Sequence, residues 1–309
     1  AAGLIAPGSR RIIIKARYTR ITAGDMGAAR AHIKYIQRDG VTREGEAGRL
    51  YDAQRDEVDG GAFLERSEHD PHQFRFIVSA EDSARLSDLK PFIRDLLSQM
   101  ERDLDTKLDW VAVDHFNTGH PHTHVVIRGR DDQGRDLVMA RDYIGHGVRA
   151  RAQALVTLEL GPETQLERLQ KLFDEVGQER LTRLDRQLIA RAKDNILVIS
   201  ADEENDPTQR TLRIGRLRTL QRLGLASERQ AGVWSLDTNA EAKLRQLGDR
   251  ADKFKMMQRA LKEASIERGA AAMALFERGP RKVPLVGKIV GVGMVDEITD
   301  RTWVLVDAV

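Results

Sequence analysis

Four of the chain's eight histidines fall within the ten positions from His115 to His124, in the run Asp114-His-Phe-Asn-Thr-Gly-His-Pro-His-Thr-His-Val-Val-Ile-Arg-Gly129. His122 and His124 alternate and lead into Val125, Val126 and Ile127, a β-branched run that reads as a buried strand. Successive strand side chains point to opposite faces, so these two imidazoles share one face, about 7 Å apart. The stretch before them, Asp109 to His115, also reads as a strand, and a short turn through Asn117-Thr-Gly119 folds it back antiparallel. His115 then meets the other two across the strand pair. Three neutral imidazoles leave coordination positions open, as a catalytic rather than a structural ion requires. His120, in the turn before Pro121, is the member expected to stay outside the set. A lone strand histidine is ordinarily a satisfied core or surface residue. Four so close together in a histidine-poor chain favour a metal site.

A metal on a sheet needs a second reacting group beside it. Serine-type triads are not indicated, and the best nucleophile candidate is Tyr35, on a basic helix where Ala28 and His32 precede it at i−7 and i−3. A phenol ionises near pH 10, so attack at neutral pH needs a cation, a base or a metal. Lys34, Arg38 and Lys15 supply local positive charge. A helical tyrosine is more often a packing residue with its hydroxyl hydrogen-bonded. Spacing alone does not choose among Tyr18, Tyr35, Tyr51 and Tyr143.

The elements that must position these groups follow from periodicity. Arg11 to Tyr18 reads as a strand. Asp25 can cap a helix from Met26 to about Arg38, closed by Gly40, with Ala29, Ile33 and Ile36 as its core stripe. Residues 40–70 lack periodicity and suggest a long, partly ordered loop. His72 to Ser79 alternates as a strand, and a helix is expected from about Ser83 to Arg102. The two histidine strands follow, then a helix from about Tyr143 to Leu160. The order β-α-β-α-β-β-α predicts an α+β fold, a mainly antiparallel sheet with flanking helices. Gly161-Pro162 marks a boundary, and a charged helix from about Glu163 to Arg191 reads as a spacer. Next comes a compact unit with a basic helix ending at Gly224 and a hairpin-like stretch through Gly232-Val-Trp-Ser-Leu236, the pattern of a winged helix. There Leu212, Leu217, Leu220 and Leu223 are expected in the core, with Arg213, Arg216, Arg218 and Arg222 toward solvent. A helix to about Arg268 and a strand-rich piece from Val283 complete the chain. The expected organisation is a tail over 1–10, a first domain over 11–162, a helical spacer over 163–191, a winged-helix-like domain over 192–268, and the start of a small β domain over 283–309.

The 309 residues suffice for two or three cores, and a hydrophobic content of 41% is ordinary for a globular protein. Net charge is only +2, but it is unevenly spread. Ser9 to Arg49 holds ten Lys or Arg against four acids, and Thr208 to Arg222 holds five Arg and no acid. Two basic patches suggest two contact points for a polyanion, although a solvated charged face would look the same. The absence of cysteine excludes disulfides, thiolate ligands and cysteine nucleophiles, and fits a reducing cytosol. No apolar run is long enough to span a membrane, and no secretory signal is visible. Ala1 in place of an initiating Met, and the strand-like end at Val309, fit a piece of a longer protein.

Three segments then carry a resemblance: Ala31-His-Ile-Lys-Tyr-Ile-Gln-Arg-Asp-Gly40, His72-Gln-Phe-Arg-Phe-Ile-Val-Ser79, and the histidine run 114–129. In this order they resemble the three motifs of the HUH-superfamily conjugative relaxases of the MobP/VirD type, over roughly residues 11–160. The later part, with Leu217 to Leu225 and the Trp-bearing wing, looks like the region that follows the relaxase domain in one bacterial subfamily. The resemblance implies Tyr35 as nucleophile and His115, His122 and His124 as ligands of a divalent ion. Mg²⁺ or Mn²⁺ is expected, although an all-imidazole set also suits Zn²⁺, Ni²⁺ or Co²⁺. His120 occupies the residue before the Pro, as in close relatives. One departure is Asn117, where several relatives carry an acid. A general base or ligand-orienting group is therefore left open among Asp114, Glu81, His32 and His120. The implied reaction is site- and strand-specific nicking of a transfer origin through a 5′-phosphotyrosyl adduct. DNA contacts would come from Lys15, Arg17, Lys34 and Arg38, and from Arg213, Arg216 and Arg218 in the winged-helix unit. Implied partners are origin DNA, a relaxosome accessory protein and a type IV secretion coupling protein. The implied setting is the bacterial cytoplasm, with export into a recipient cell while bound to DNA. The alternatives are a rolling-circle replication initiator, or a non-enzymatic winged-helix regulator with a structural metal.

Overall fold

A computed structural model describes residues 8–21, 26–116, 121–199, 206–269, 272–276, 286–294 and 302–308. The chain divides into two compact units, residues 1–163 with 293–303, and residues 164–292 with 304–309.

The first unit is built on a sheet of β1 (Ile12–Arg20), β2 (His72–Ala80), β3 (Trp110–His115) and β4 (His122–Arg128), in the order β1-β2-β4-β3 with every pairing antiparallel. The α+β class and the antiparallel sheet expected from the pattern are both present. Strand alternation gives the sheet two apolar faces. On one, Phe74, Phe76, Ala112, Val125 and Ile127 pack with α3 (Lys90–Leu104) and α4 (Val148–Leu160). On the other, Val111, Val113 and Val126 pack with α1 (Gly27–Ile36) and α2 (Gly60–Arg66). α1 turns Ala29, His32, Ile33 and Ile36 inward, an i, i+3, i+4, i+7 stripe that makes this helix the lid of the second face.

Several boundaries differ from the sequence expectation, each for a local reason. Within residues 40–70, positions 40–59 run as the expected loop apart from one bridge, and a short helix follows that the loop expectation did not include. Asp59 caps α2 through Gly61 N and Ala62 N, and Tyr51 forms a β-bridge with Ala112 while fully buried. Apolar anchors here come one per short segment, so no period shows. The helix expected from Ser83 is only a single 3₁₀ turn (Ser83–Arg85), and α3 begins at Lys90 because Pro91 sits in its first turn. Before α4, Tyr143–Gly147 forms one π-helical turn. Arg10, assigned to a tail, is 2% exposed and holds Asp82 at 2.8 Å and the carbonyl of Gly161 at 2.7 Å. It ties the entry of β1 to the end of α4. The Asp25 cap, and the turn holding Asn117 and His120, lie outside the described residues.

Gly129 ends β4 against β2. A Cβ added there would lie 2.2 Å from the carbonyl oxygen of His72, a backbone atom that cannot swing aside. Gly129→Ala is expected to cost about 1–3 kcal/mol, read as a fall in melting temperature. An unchanged melt would mean that the strand ends separate freely.

The second unit contains α5 (Gln165–Val176), α6 (Arg183–Arg191), β5 (Ile196–Val198), α7 (Pro207–Arg222), β6 (Ala226–Gln230), β7 (Val233–Leu236) and α8 (Ala240–Glu263). The expected single spacer helix is instead two, each opened by its own capping box, Thr164 with Glu167 and Thr182 with Asp185. α6 buries Leu184 and Leu188, so it belongs to a core rather than to a linker. β5 joins the β6–β7 hairpin in the order β5-β7-β6, over a core that includes Leu188, Leu217, Leu220, Trp234 and Leu244. β8 (Gly287–Met294) and β9 (Thr302–Ala308) form a separate two-stranded pair.

Candidate metal centre

The site grows from the β3–β4 register. His115 stands directly opposite His122, and Val113 directly opposite His124. The three imidazoles therefore share the face covered by α1. Ring centroids lie 5.3 Å apart for His115 and His122, 4.4 Å for His115 and His124, and 5.1 Å for His122 and His124. One nitrogen from each falls within 4.8 Å of the others, and the residues are 0%, 6% and 1% exposed. Among the described residues this is the one such cluster of three or more ligand-type side chains.

A set of buried imidazoles turned toward one point, with no carboxylate among the described members, fits a borderline divalent transition metal. One of the three imidazoles is held in an orientation that such a role would need. His115 Nε2 lies 2.7 Å from the carbonyl oxygen of Ile36, an acceptor only, so Nε2 carries the proton and Nδ1 the lone pair. This is the usual way a backbone carbonyl fixes a ligating histidine. It also fastens the His115 ring to the residue next to Tyr35.

Tyr35 is half-buried on α1 and packs beside Ile33 and Ile36 at the edge of the α1–α2 core. The guanidinium carbon of Arg38 sits 4.2 Å from the Tyr35 ring centroid, and Arg38 Nη1 donates to the Tyr35 carbonyl at 3.3 Å. A cation over the ring is attracted to its π face and opposes loss of ring orientation. His32, one turn earlier, is 2% exposed with its ring centroid 6.5 Å from that of His124. Lys34 is exposed on the same helix. Lys15 and Arg17 lie on the histidine face of the sheet, two strands away, because their register partners Ile77 and Arg75 stand opposite His124 and Val126.

Other expected residues fall elsewhere. Asp114 cannot serve as a base or orienting group for the histidines, because its side chain lies on the opposite face. There its Oδ1 accepts from Tyr51 Oη at 2.9 Å and from Thr123 Oγ1 at 2.6 Å. Burial lifts its carboxyl to about 6, against the pull of those two hydrogen bonds, and burial and the Asp114 charge in turn raise the Tyr51 phenol. Period-two alternation after His115 already implied this placement. Glu81 lies just beyond β2, its amide bonded to the carbonyl of Arg11. Arg216, expected toward solvent, is 0% exposed and paired with Asp185 at 2.7 Å. Its aliphatic neighbours follow the core stripe, and Asp185 on α6 draws the charge inward. Arg213 is half-buried and Arg218 exposed on α7.

Sequence reasoning missed the Ile36 carbonyl, Gln73 and Arg75. Backbone acceptors leave no residue signature. Gln73 and Arg75 looked like the polar side of an alternating strand, yet both are buried.

Residues 213–309 match a protein family described only as of unknown function, DUF3363. That match begins within α7 and does not include the histidines or Tyr35. No curated protein and no solved structure matches the chain.

Proposed function

We propose that the chain is a metal-dependent DNA relaxase, which nicks one strand of a transfer origin by tyrosine transesterification. The observation that carries this reading is the bond from His115 to Ile36. It joins a buried three-histidine centre to the helix that bears Tyr35. His115, His122 and His124 would hold the ion, Mg²⁺ or Mn²⁺ by resemblance and Zn²⁺, Ni²⁺ or Co²⁺ by donor chemistry. A divalent cation bound there would offset the charge of the scissile phosphate.

Tyr35 Oη attacks phosphorus as the bond from phosphorus to the 3′ oxygen breaks. The phenolic proton is passed to the departing 3′ alkoxide. The products are a 5′-phosphotyrosyl strand and a free 3′ hydroxyl. One phosphodiester replaces another, so the step is reversible and the strand can be resealed. Arg38 keeps the ring oriented, and α1 covers one side of the centre. A purely structural metal in a DNA-binding regulator is less well supported. Structural sites are closed by four ligands, and three gather here among the described residues. Origin DNA would be the substrate, with a relaxosome accessory protein and a type IV secretion coupling protein as partners.

The test incubates the protein with supercoiled plasmid bearing the cognate origin and Mg²⁺ or Mn²⁺, then adds detergent and protease. Expected are metal-dependent relaxation and a 5′-linked adduct that peptide mass mapping assigns to Tyr35. An adduct on another residue, or relaxation without metal, would overturn the reading.

A further inference from the structure

On the histidine face of the sheet the register runs outward in rows. His124 leads through Ile77 to Lys15, Val126 through Arg75 to Arg17, and in the next row Gln73 stands opposite Thr19. Gln73 and Arg75 are 1% and 2% exposed, Arg17 and Thr19 are half-buried, and Lys15 is open to solvent at the sheet edge. Arg75 Nε donates to Gln73 Oε1 at 3.0 Å. A guanidinium has only donors, so this bond fixes the amide: the oxygen faces Arg75, and the Nε2 protons face elsewhere. Gln73 Nε2 and Thr19 Oγ1 are both buried, and neither has a hydrogen-bond partner among the described residues. Such orphaned polar atoms are rare and ask for an explanation. Beside them, Arg17 and Arg75 stand directly opposite each other, so two guanidinium-bearing side chains rise from one row of the same face. An oxyanion between the two strands would satisfy the amide and the hydroxyl, and would bridge both guanidinium groups.

We propose that Arg17, Thr19, Gln73 and Arg75 form an oxyanion site for a non-scissile phosphate of a single DNA strand whose scissile phosphate lies at the histidines. Strand spacing puts the Cα of Arg75 roughly 8 Å from that of His124, within reach of a neighbouring phosphate. Of the residues in these rows, Lys15 is open to solvent at the β1 edge and Arg17 is half-buried beside it. The identity of the ligand rests on the relaxase reading; the donor set does not.

The test is fluorescence anisotropy of a labelled oligothymidylate with the full chain, over a range of salt. Arg17→Gln and Arg75→Lys are each expected to weaken binding about tenfold. Arg17→Gln should also flatten the dependence of log affinity on log salt by about 0.7. Arg17 is half-exposed, so its variant keeps the test open if Arg75→Lys fails to fold. Affinity unchanged in folded Arg17→Gln overturns the site as a DNA contact. Inorganic phosphate that raises the parent's melting temperature, but not the variant's, while oligonucleotide affinity stays the same, keeps the oxyanion site and overturns DNA as its ligand. If plasmid nicking is absent but oligonucleotide binding depends on Arg17, the relaxase reading falls and the site stands. If nicking occurs while binding ignores Arg17, only the site falls.

Discussion

Arg216→Ala is expected to destabilise the second unit by about 3–5 kcal/mol, enough to unfold it at moderate temperature. Arg216 Nε and Nη2 hold Asp185 at 2.7 Å and 2.8 Å, with both side chains fully buried. Nη1 also donates to the carbonyls of Val176 at 3.0 Å and Gln178 at 2.6 Å, and Nη2 to that of Arg180 at 3.0 Å. Val176 ends α5, and its carbonyl has no donor within the helix. One guanidinium therefore closes α5, the following turn and the capping box that starts α6. Its removal leaves a buried carboxylate unpaired and several carbonyls without donors. Unfolding by denaturant, followed through buried Trp234, would show a midpoint well below the parent's. The double variant Arg216→Met with Asp185→Leu should recover part of the loss, because it removes the stranded charge. A single variant that melts with the parent would show the pair to be dispensable.

Arg216 also marks where sequence reading runs out. Five arginines without an acid between Thr208 and Arg222 read as one basic face. The partner that pulls one of them inside lies 31 residues upstream, on a different helix. Nothing local announces it. The histidine centre was legible because two short-range rules sufficed, alternation along a strand and reversal at a turn. The same alternation places Asp114 behind the sheet, a conclusion available from spacing alone. The short helix α2 and the buried anchors inside residues 40–70 went unread because Leu50, Tyr51, Phe63 and Leu64 are each buried in a separate short stretch, with no repeat for a periodicity to reveal. Tyr35 was distinguishable from three other tyrosines only by resemblance. In the fold, Tyr51 is fully buried against Asp114 and Tyr143 is bonded to Asp103, while Tyr35 lies next to the residue that anchors His115. Tyr18 is half exposed on β1, its ring 4.5 Å from that of His72.

Tyr35→Phe and His124→Ala are expected to separate the two halves of the site. His124 is 1% exposed and lies nearest to His115, with ring centroids 4.4 Å apart. Its loss should lower Zn²⁺ or Mn²⁺ affinity by at least about 100-fold, since even the groups that orient a ligand are worth 10- to 100-fold. Nicking should fall with it by about 1,000-fold or more, the scale of losing one main stabiliser of transition-state charge. Tyr35→Phe keeps the ring, the packing and the Arg38 contact but removes the oxygen proposed to attack. Metal affinity should therefore stay within about twofold of the parent's, while the covalent adduct disappears. Calorimetric titration of the metal-stripped protein gives the first quantity, and adduct formation on a labelled origin strand the second. For the parent, three imidazoles predict the affinity order Mn²⁺ below Co²⁺ below Ni²⁺, with Mg²⁺, an oxygen-seeking ion, weakest. Equal metal affinity in His124→Ala would remove the histidines from the ligand set. An adduct that survives Tyr35→Phe would move the nucleophile elsewhere and leave the metal assignment standing. The two failures are independent because the His115–Ile36 bond passes through the backbone of α1, which neither substitution alters.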